Sequence, residues 1–234
     1  MRSLTVPRLS PRDQAVIQTV HLLGQVSAGQ LLRLHFADGS PATRGTRMRR
    51  TMTRLSEHGL VDQLPTRWIG GHGGGSGGYL YQAQGSRSRT YREHRLAIAE
   101  LYVRIVEAER AGQFRLVEFA CEPGSYRRIG TLELKPDAAL RLSRGEARRH
   151  VFIELDRATE TAAQITSKLT TYAAAERSWP TGSAFPLVLF VVSHELASGE
   201  QRQIERIVGA ISRHPAAELF AVCPFDGAID HLVR

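Results

Sequence analysis

The sequence predicts a mixed α/β (α+β) protein made of two modules, a basic helical module at residues 1–90 and a module of strands and helices at residues 91–234. Residues 1–90 contain 12 arginines and 4 acidic residues, whereas residues 91–234 contain 19 basic and 19 acidic residues. The whole excess of positive charge therefore lies in the first module. The apolar pattern also changes there, from short amphipathic helices to strands with alternating polar and apolar residues.

Three short helices are predicted in the first module. The first begins at Ser10, a good N-cap residue that precedes a proline, and ends at Gly24. The second begins at a sequence like a capping box that starts with Ser27. The third covers about residues 43–58 and carries five arginines, with methionines and a leucine at the spacing of a core-facing side.

A hairpin of residues 60–64 and 79–82, joined across a glycine-rich loop at residues 70–78, is predicted next. Three short helices with the basic one last, followed by a hairpin, resemble a winged helix-turn-helix domain. The resemblance implies that the third helix enters the major groove of DNA and that the hairpin touches the DNA backbone. The candidate DNA contacts are Arg44, Arg47, Arg49, Arg50 and Arg54 on the helix, and Arg67 and the loop around His72 on the hairpin. The alternative is a solvated basic helix in a protein-interaction domain.

The second module is predicted to run in the order helix, three strands, helix, strand, helix, strand. The predicted ranges are 91–111 for the first helix, 114–119, 131–142 and 148–156 for the three strands, 161–177 for the second helix, 187–192 for the fourth strand, 200–213 for the third helix and 219–222 for the last strand. The strand at 187–192 is apolar throughout, which indicates burial on both faces.

Charged residues lie at matched heights on the strands at 131–142 and 148–156. If residues 144–147 form the loop, Ser143 pairs with Arg148, and the same register places Asp137 opposite Glu154 and Lys135 opposite Asp156. The opposed Cβ atoms would then be about 4.5–5.5 Å apart on one face of the sheet. Carboxylates this close repel unless a cation lies among them, and oxygen ligands suit Mg²⁺ or Mn²⁺. A solvated ladder of charges on an exposed face is the alternative.

The two lysines of the chain, Lys135 and Lys168, both fall in this stretch, while the other 29 of the 31 basic residues are arginines. A lysine supplies a compact ammonium group whose pKa responds to its surroundings, which an arginine does not. With two residues, chance is the alternative explanation. Tyr172, close to Lys168 on the same predicted helix, is a candidate for phosphate contact or for packing.

The order of elements, with Pro136-Asp137 on the second strand and Glu154-Leu155-Asp156 on the third, resembles the PD-(D/E)XK nuclease fold, the restriction-endonuclease-like architecture. It is also similar to the replication-relaxation family of plasmids and integrative elements. The resemblance implies that Asp137 and Glu154 are metal ligands and that Glu100 is a further acid. The nuclease pattern has lysine where this chain has Asp156, so Lys168 or Lys135 is expected to replace that lysine, or Asp156 to act as an extra ligand.

The implied function is that of a DNA-binding protein of a plasmid or mobile element, acting in replication, relaxation or mobilisation, with nicking that depends on Mg²⁺ or Mn²⁺ as its enzymatic form. The alternative is a non-catalytic accessory protein or transcriptional regulator with a degenerate nuclease domain. The expected partners are double-stranded DNA, a second copy of the chain, and other replication or transfer proteins. The longest apolar run, near residues 185–192, is too short for a membrane span, so no membrane contact and a cytoplasmic location are expected.

Overall fold

The computed structural model describes residues 8–68, 78–84 and 92–233, without the side chains of residues 66–68. The chain divides into two compact units, Met1–Val103 and Arg104–Arg234. Helices accompany both antiparallel and mixed sheets, so the predicted α/β class is confirmed. None of the helices in the described ranges is long and apolar enough to cross a membrane.

The first unit contains three helices, a three-stranded sheet and the start of a fourth helix. Its elements are α1 (Pro11–Leu23), β1 (Gln25–Ser27), α2 (Ala28–His35), α3 (Pro41–Glu57), β2 (Val61–Trp68), β3 (Gly78–Ala83) and α4 (Arg92–Arg110), which continues past the unit boundary. The predicted hairpin forms from β2 and β3. The short strand β1, which the sequence reading missed, adds to β3 on its other side and completes an antiparallel sheet in the order β1-β3-β2.

A serine caps each of the first three helices. The hydroxyls of Ser10, Ser27 and Ser40 each accept a hydrogen bond from the backbone N–H three residues later, at 3.2, 3.2 and 3.3 Å. The caps at Ser10 and Ser27 confirm the predicted helix starts. Both are full capping boxes, which the sequence indicated for Ser27 only. Helix α3 begins two residues earlier than predicted because Ser40 supplies the cap and Pro41 fits the first helical position.

Asp13 connects α1 to α3. Its carboxylate accepts hydrogen bonds from the Ser10 backbone N–H at 2.8 Å and from the Arg54 guanidinium at 2.6 Å, and the side chain is almost fully buried. Burial raises the pKa of Asp13, but the bonds from Arg54 and Ser10 outweigh burial and hold the pKa below its usual value. An ionised Asp13 therefore stabilises the contact between these two helices.

The second unit is built on a five-stranded mixed sheet. Its elements are β4 (Arg115–Cys121), β5 (Arg127–Ile129), β6 (Leu132–Leu134), β7 (Ala138–Arg144), β8 (Ala147–Asp156), α5 (Ala162–Arg177), β9 (Leu187–Val192), α6 (Ala197–Ser212), β10 (Phe220–Pro224) and α7 (Ala228–Val233). The sheet has the order β10-β9-β8-β7-β4, with β10, β9 and β8 parallel and the other neighbours antiparallel.

The hairpin of β7 and β8 has the predicted register, with Ser143 opposite Arg148. The turn is tighter than predicted, because Gly145 adopts a φ of 59° and lets two residues reverse the chain. The predicted strand at 131–142 is wrong in its first half. Residues 132–134 form β6, which pairs with β5 in a separate two-stranded sheet. Pro136 explains the break, since it has no N–H to donate to a strand ladder.

The centre of the five-stranded sheet, β9 and the second half of β8, is buried on both faces. One face packs against α5 and α6 through an apolar cluster that includes Phe152, Phe190 and Ile165. The alternate residues of β8, Ile153 and Leu155, are buried as well. Any polar side chain on the covered part of β8 is therefore removed from water and needs a partner within the protein. Both cysteines, Cys121 and Cys223, are free and buried.

We expect Asp13→Ala to lower the free energy of unfolding by about 1–2 kcal/mol, because it opens the capping box of α1 and leaves Arg54 without its carboxylate. Urea unfolding followed by circular dichroism measures this change. Because the pKa of Asp13 is lowered on folding, the stabilisation is present at neutral pH and is lost as the pH falls below the ordinary value of 3.8, so wild type and variant converge in acid.

Glu57→Ala is the matched control, since Glu57 is an exposed acid on α3. Its effect should stay within about 0.5 kcal/mol. Equal losses in the two variants would contradict the assigned role of Asp13.

Candidate functional site

Two carboxylates, Glu154 and Asp156, lie at the C-terminal end of β8, on the face that α5 and α6 cover. Their exposed fractions are 3% and 2%. Because side chains alternate along a strand, both share the face that carries Phe152. A buried carboxylate requires cations or hydrogen-bond donors around it, and the structure supplies each of the two acids with a different set.

Glu154 lies in a cluster with Glu160, Lys168 and Tyr172, which we call the lysine cluster. One carboxylate oxygen of Glu154 accepts a hydrogen bond from Lys168 Nζ at 2.5 Å, and the other accepts one from the Tyr172 hydroxyl. Lys168 Nζ also donates to Glu160 Oε1 at 2.5 Å. Lys168 and Tyr172 are four residues apart on α5 and therefore share one face of that helix.

The electrostatics of the lysine cluster favour a protonated lysine. Burial raises the pKa of Glu154 to about 7, with a further contribution from the charge of Asp137, while Lys168 opposes the rise. Burial alone lowers the pKa of Lys168, but the carboxylates of Glu154 and Glu160 outweigh it and hold that pKa above its usual value. Burial and the charge of Glu154 also raise the pKa of Tyr172, which therefore remains a donor. Lys168 is thus a fixed positive charge, poorly suited to act as a base.

Asp156 organises the connection from β8 to α5. One of its oxygens accepts hydrogen bonds from the backbone N–H groups of Thr159 and Glu160, at 3.0 and 3.4 Å, and the other accepts one from the side-chain amide of Gln203. The Gln203 amide also donates to the Glu160 carbonyl at 3.0 Å. Asp156 therefore holds a loop and a helix in place, at the position where the nuclease pattern has lysine.

Gln203 was missed at the level of sequence. It lies on the buried side of α6 with Ile207 and Ala210, so a glutamine at the spacing of that apolar stripe was the available signal. Glu160 was missed too, because it lies in the connection before α5, where the sequence shows no periodic pattern.

Asp137 comes next to the end of β8, as the predicted register requires. Its Oδ2 accepts the backbone N–H of Leu155 at 2.7 Å, and its charge raises the pKa of Glu154. The prediction that Lys135 faces Asp156 is wrong, since the strand ladder stops at Ala138. Lys135 is instead half exposed and pairs with Glu133 at 2.9 Å.

Glu100, the further acid that the resemblance implies, is bonded within the first unit. Its carboxylate accepts hydrogen bonds from Arg33 at 2.6 Å and from Gln30 at 3.3 Å, both on α2. Glu100 therefore connects α4 to α2.

The arrangement of acids in the described residues does not fit a metal centre. In the ranges 8–68, 78–84 and 92–233, no three side chains of His, Cys, Asp or Glu come together as a metal-binding group. Both carboxylate oxygens of Glu154 and both of Asp156 accept bonds from protein donors. The cation beside Glu154 is the ammonium group of Lys168.

The five arginines of α3 divide into two groups. Arg44, Arg47 and Arg54 are bonded within the first unit, to the Ala37 carbonyl at 3.2 Å, to the Asp38 carboxylate at 2.8 Å and to Asp13. Arg49 and Arg50 are exposed. Arg49 donates only to the Thr46 hydroxyl, at 3.3 Å, and Arg50 has no hydrogen bond or ion pair to any described residue. The side chain of Arg67 and the loop around His72 lie outside the described part of the chain.

We expect Lys168→Met to lower the free energy of unfolding by about 3 kcal/mol, because it leaves the buried Glu154 without its cation. The loss should be smaller in a Glu154→Gln background, where position 154 carries no buried charge and only the less buried Glu160 loses its cation. Urea unfolding of the four proteins of this double-mutant cycle measures the coupling.

Lys135→Met is the control, since Lys135 makes an exposed ion pair that contributes about 0–1 kcal/mol. If the two lysine substitutions cost the same, the lysine cluster does not stabilise the fold.

Comparison with known proteins finds a family model that matches part of the chain. Residues 85–188 match the family model described as Replication-relaxation. Among solved structures, that of protein VC1899 from Vibrio cholerae is similar over 97% of this chain, at 14% sequence identity and a TM-score of 0.37, and the chain spans 57% of that protein's length. No curated protein matches. The predicted resemblance to the replication-relaxation family is therefore confirmed over residues 85–188, the segment that carries Asp137, Asp156 and the lysine cluster.

Proposed function

We propose that the protein binds double-stranded DNA of a plasmid or integrative mobile element and acts in its replication, relaxation or mobilisation. The observation that carries this proposal is the exposed pair Arg49 and Arg50 on α3, a helix that follows two capped helices and precedes an antiparallel hairpin. That order supports a winged helix-turn-helix, in which the third helix meets the major groove. The match to the replication-relaxation family supports the cellular role.

The hydrogen bonds of the first unit assign different tasks to the arginines. Arg49 and Arg50 share an exposed side of α3 with Thr53 and are proposed to contact phosphates or base edges. Arg47 is tied to Asp38, and this pair is proposed to shape the chain just before α3. Arg54 is held by the buried Asp13 and is assigned to the fold.

The second unit is proposed to act as a non-catalytic, nuclease-like scaffold. Both carboxylate oxygens of Glu154 and both of Asp156 accept bonds from protein donors, and the positive charge beside Glu154 comes from Lys168. A scaffold of this kind would dock a second copy of the chain or another replication or transfer protein. Its contribution to DNA processing would then be positional rather than chemical.

Nicking is the second candidate function, and one observation favours it. Lys168 reaches Glu154 from α5, and Asp137 lies beside the same strand end, so the residue types of a nuclease site come together although lysine is absent at position 156. For cleavage with Mg²⁺ or Mn²⁺, these carboxylates would have to exchange their present donors for metal.

DNA binding is tested with Arg50→Ala. The variant should bind duplex DNA from the neighbouring genomic region more weakly, and the slope of log affinity against log salt concentration should fall by about 0.9, the contribution of one phosphate contact. Fluorescence anisotropy over a range of salt concentrations gives both quantities.

Arg202→Ala is the matched control for this titration, because Arg202 is an exposed arginine on α6 of the second unit and its loss changes the net charge equally. If both variants lose affinity by the same factor, net charge and not the α3 surface drives binding.

Cleavage is tested by incubating supercoiled plasmid carrying the same region with the protein in Mg²⁺, in Mn²⁺ or in EDTA. The scaffold assignment expects no conversion to open circles in any condition, with duplex binding intact. Conversion that requires metal and disappears in both Asp137→Asn and Glu154→Gln would overturn it and establish the nickase.

A further inference from the structure

A cleft of about 210 Å³ lies in the second unit. It lies on the same strands as the lysine cluster but closer to the β7–β8 turn. The residues that line it include the aromatic side chains Phe152 and Trp179, and a rim with Arg127, Arg141, His150 and Glu118. None of these residues takes part in the site described above. The volume is below the roughly 300–1,000 Å³ of pockets for drug-sized ligands, so the cleft suits one ring system with a substituent at its rim.

The aromatic wall of the cleft is held in place by its neighbours. Trp179 packs edge-on against Phe185 and Phe152, with ring centroids 5.0 and 6.3 Å apart, and Phe152 also meets Phe185 edge-on at 6.0 Å. Across the sheet from Phe152 lies Ala139, whose small side chain leaves room beside the ring. Phe152 is buried beneath this wall, and the half-buried Trp179 supplies the aromatic face that a flat ring can reach.

Trp179 also carries an unused polar group. Its indole N–H is buried and has no hydrogen-bond partner among the described residues. A buried donor without a partner destabilises the protein, because it has given up its bond to water. A ligand that brings a hydrogen-bond acceptor to Trp179 would remove this penalty, which a purely apolar occupant cannot do.

The rim of the cleft is basic. Arg141 lies opposite His150 on the hairpin, and two arginines and a histidine face a single acid, Glu118. Glu118 holds the Arg141 guanidinium at 2.6 Å, and Arg127 is held through one nitrogen by the carbonyls of Gly124 and Tyr126. Both guanidinium groups are thus positioned while keeping donors that make no bond to a described residue. Positioned arginines of this kind bind phosphate.

The spacing between the aromatic wall and the basic rim matches the size of a nucleotide. On β8, His150 and Phe152 are two residues apart on one face, and on β7 so are Arg141 and Ala139, which places the backbone positions that carry the aromatic wall and the basic rim about 7 Å apart along the sheet. That separation is comparable with the distance from a base, across its sugar, to its phosphate. Aromatic side chains with adjacent arginines are how proteins bind unpaired bases without reading sequence.

We propose that this cleft binds a single unpaired nucleotide, with the base against Trp179 and the phosphate at Arg141 and Arg127. This proposal rests on the proposed DNA function, because the nucleotide would come from a strand opened during replication or relaxation. A free mononucleotide offers the same chemistry and is the other source.

The test uses full-length protein with Trp68→Phe, which leaves Trp179 as the one tryptophan of the chain. Tryptophan fluorescence is titrated with single-stranded oligothymidylate and separately with thymidine monophosphate. Quenching that saturates is expected. If the oligonucleotide alone quenches, the ligand is a nucleotide within a strand, and if the mononucleotide quenches equally, it is a free nucleotide.

Variants are compared by anisotropy of labelled oligothymidylate. Trp179→Leu should weaken binding about tenfold, within the 1–3 kcal/mol reported for stacking of one base, and Trp179→Phe should restore part of it. Arg141→Gln, an exposed substitution that leaves the fold intact, should weaken binding severalfold. Arg202→Ala should leave it unchanged.

Duplex binding measured on the same proteins separates this inference from the proposed function. Arg50→Ala should weaken duplex binding and spare quenching of Trp179, and Arg141→Gln should do the reverse. Absence of quenching by either ligand, or oligothymidylate binding that Trp179→Leu and Arg141→Gln leave unchanged, overturns the nucleotide cleft even if duplex binding stands.

Discussion

The second unit depends on the burial of two carboxylates, Glu154 and Asp156, at the end of β8. Each lies in a strand whose apolar neighbours are covered on both faces, so neither can reach water. An uncompensated charge there would cost several kcal/mol. The structure meets this constraint with Lys168 and Tyr172 from α5 for Glu154, and with Gln203 from α6 for Asp156. The two acids obtain these hydrogen bonds only when both helices are packed on the sheet, so helix packing and the burial of these charges depend on each other.

The first unit uses a buried carboxylate in the same way. Asp13 closes the capping box of α1 and binds Arg54 of α3, so one side chain fixes both the start of a helix and its contact with another. That bond withdraws Arg54 from the basic surface, whereas Arg50 on the same helix keeps an exposed guanidinium. The two arginines carry the same charge, and it is their different partners that give them different roles.

The sequence predicts those features that depend on neighbours along the chain. The β7–β8 register follows from alternation and a short turn, and the caps at Ser10 and Ser27 follow from local hydrogen bonding. Features that depend on distant partners were not predictable. Because the strand breaks at Pro136, residues 132–134 pair with β5 instead of β8. Lys135 therefore lies away from Asp156 and pairs with Glu133. Of the two candidate lysines, Lys168 on α5 contacts Glu154, and tertiary packing rather than sequence position decides this.

One face of β8 places the proposed nucleotide cleft and the lysine cluster in sequence along a single strand. His150 and Phe152 line the cleft, Glu154 binds Lys168, and Asp156 holds the connection to α5. The Phe152 ring lies 6.0 Å from that of Tyr172, which donates to Glu154, so the wall of the cleft packs against a member of the cluster. The two sites therefore share one packing contact, although they hold different chemistry.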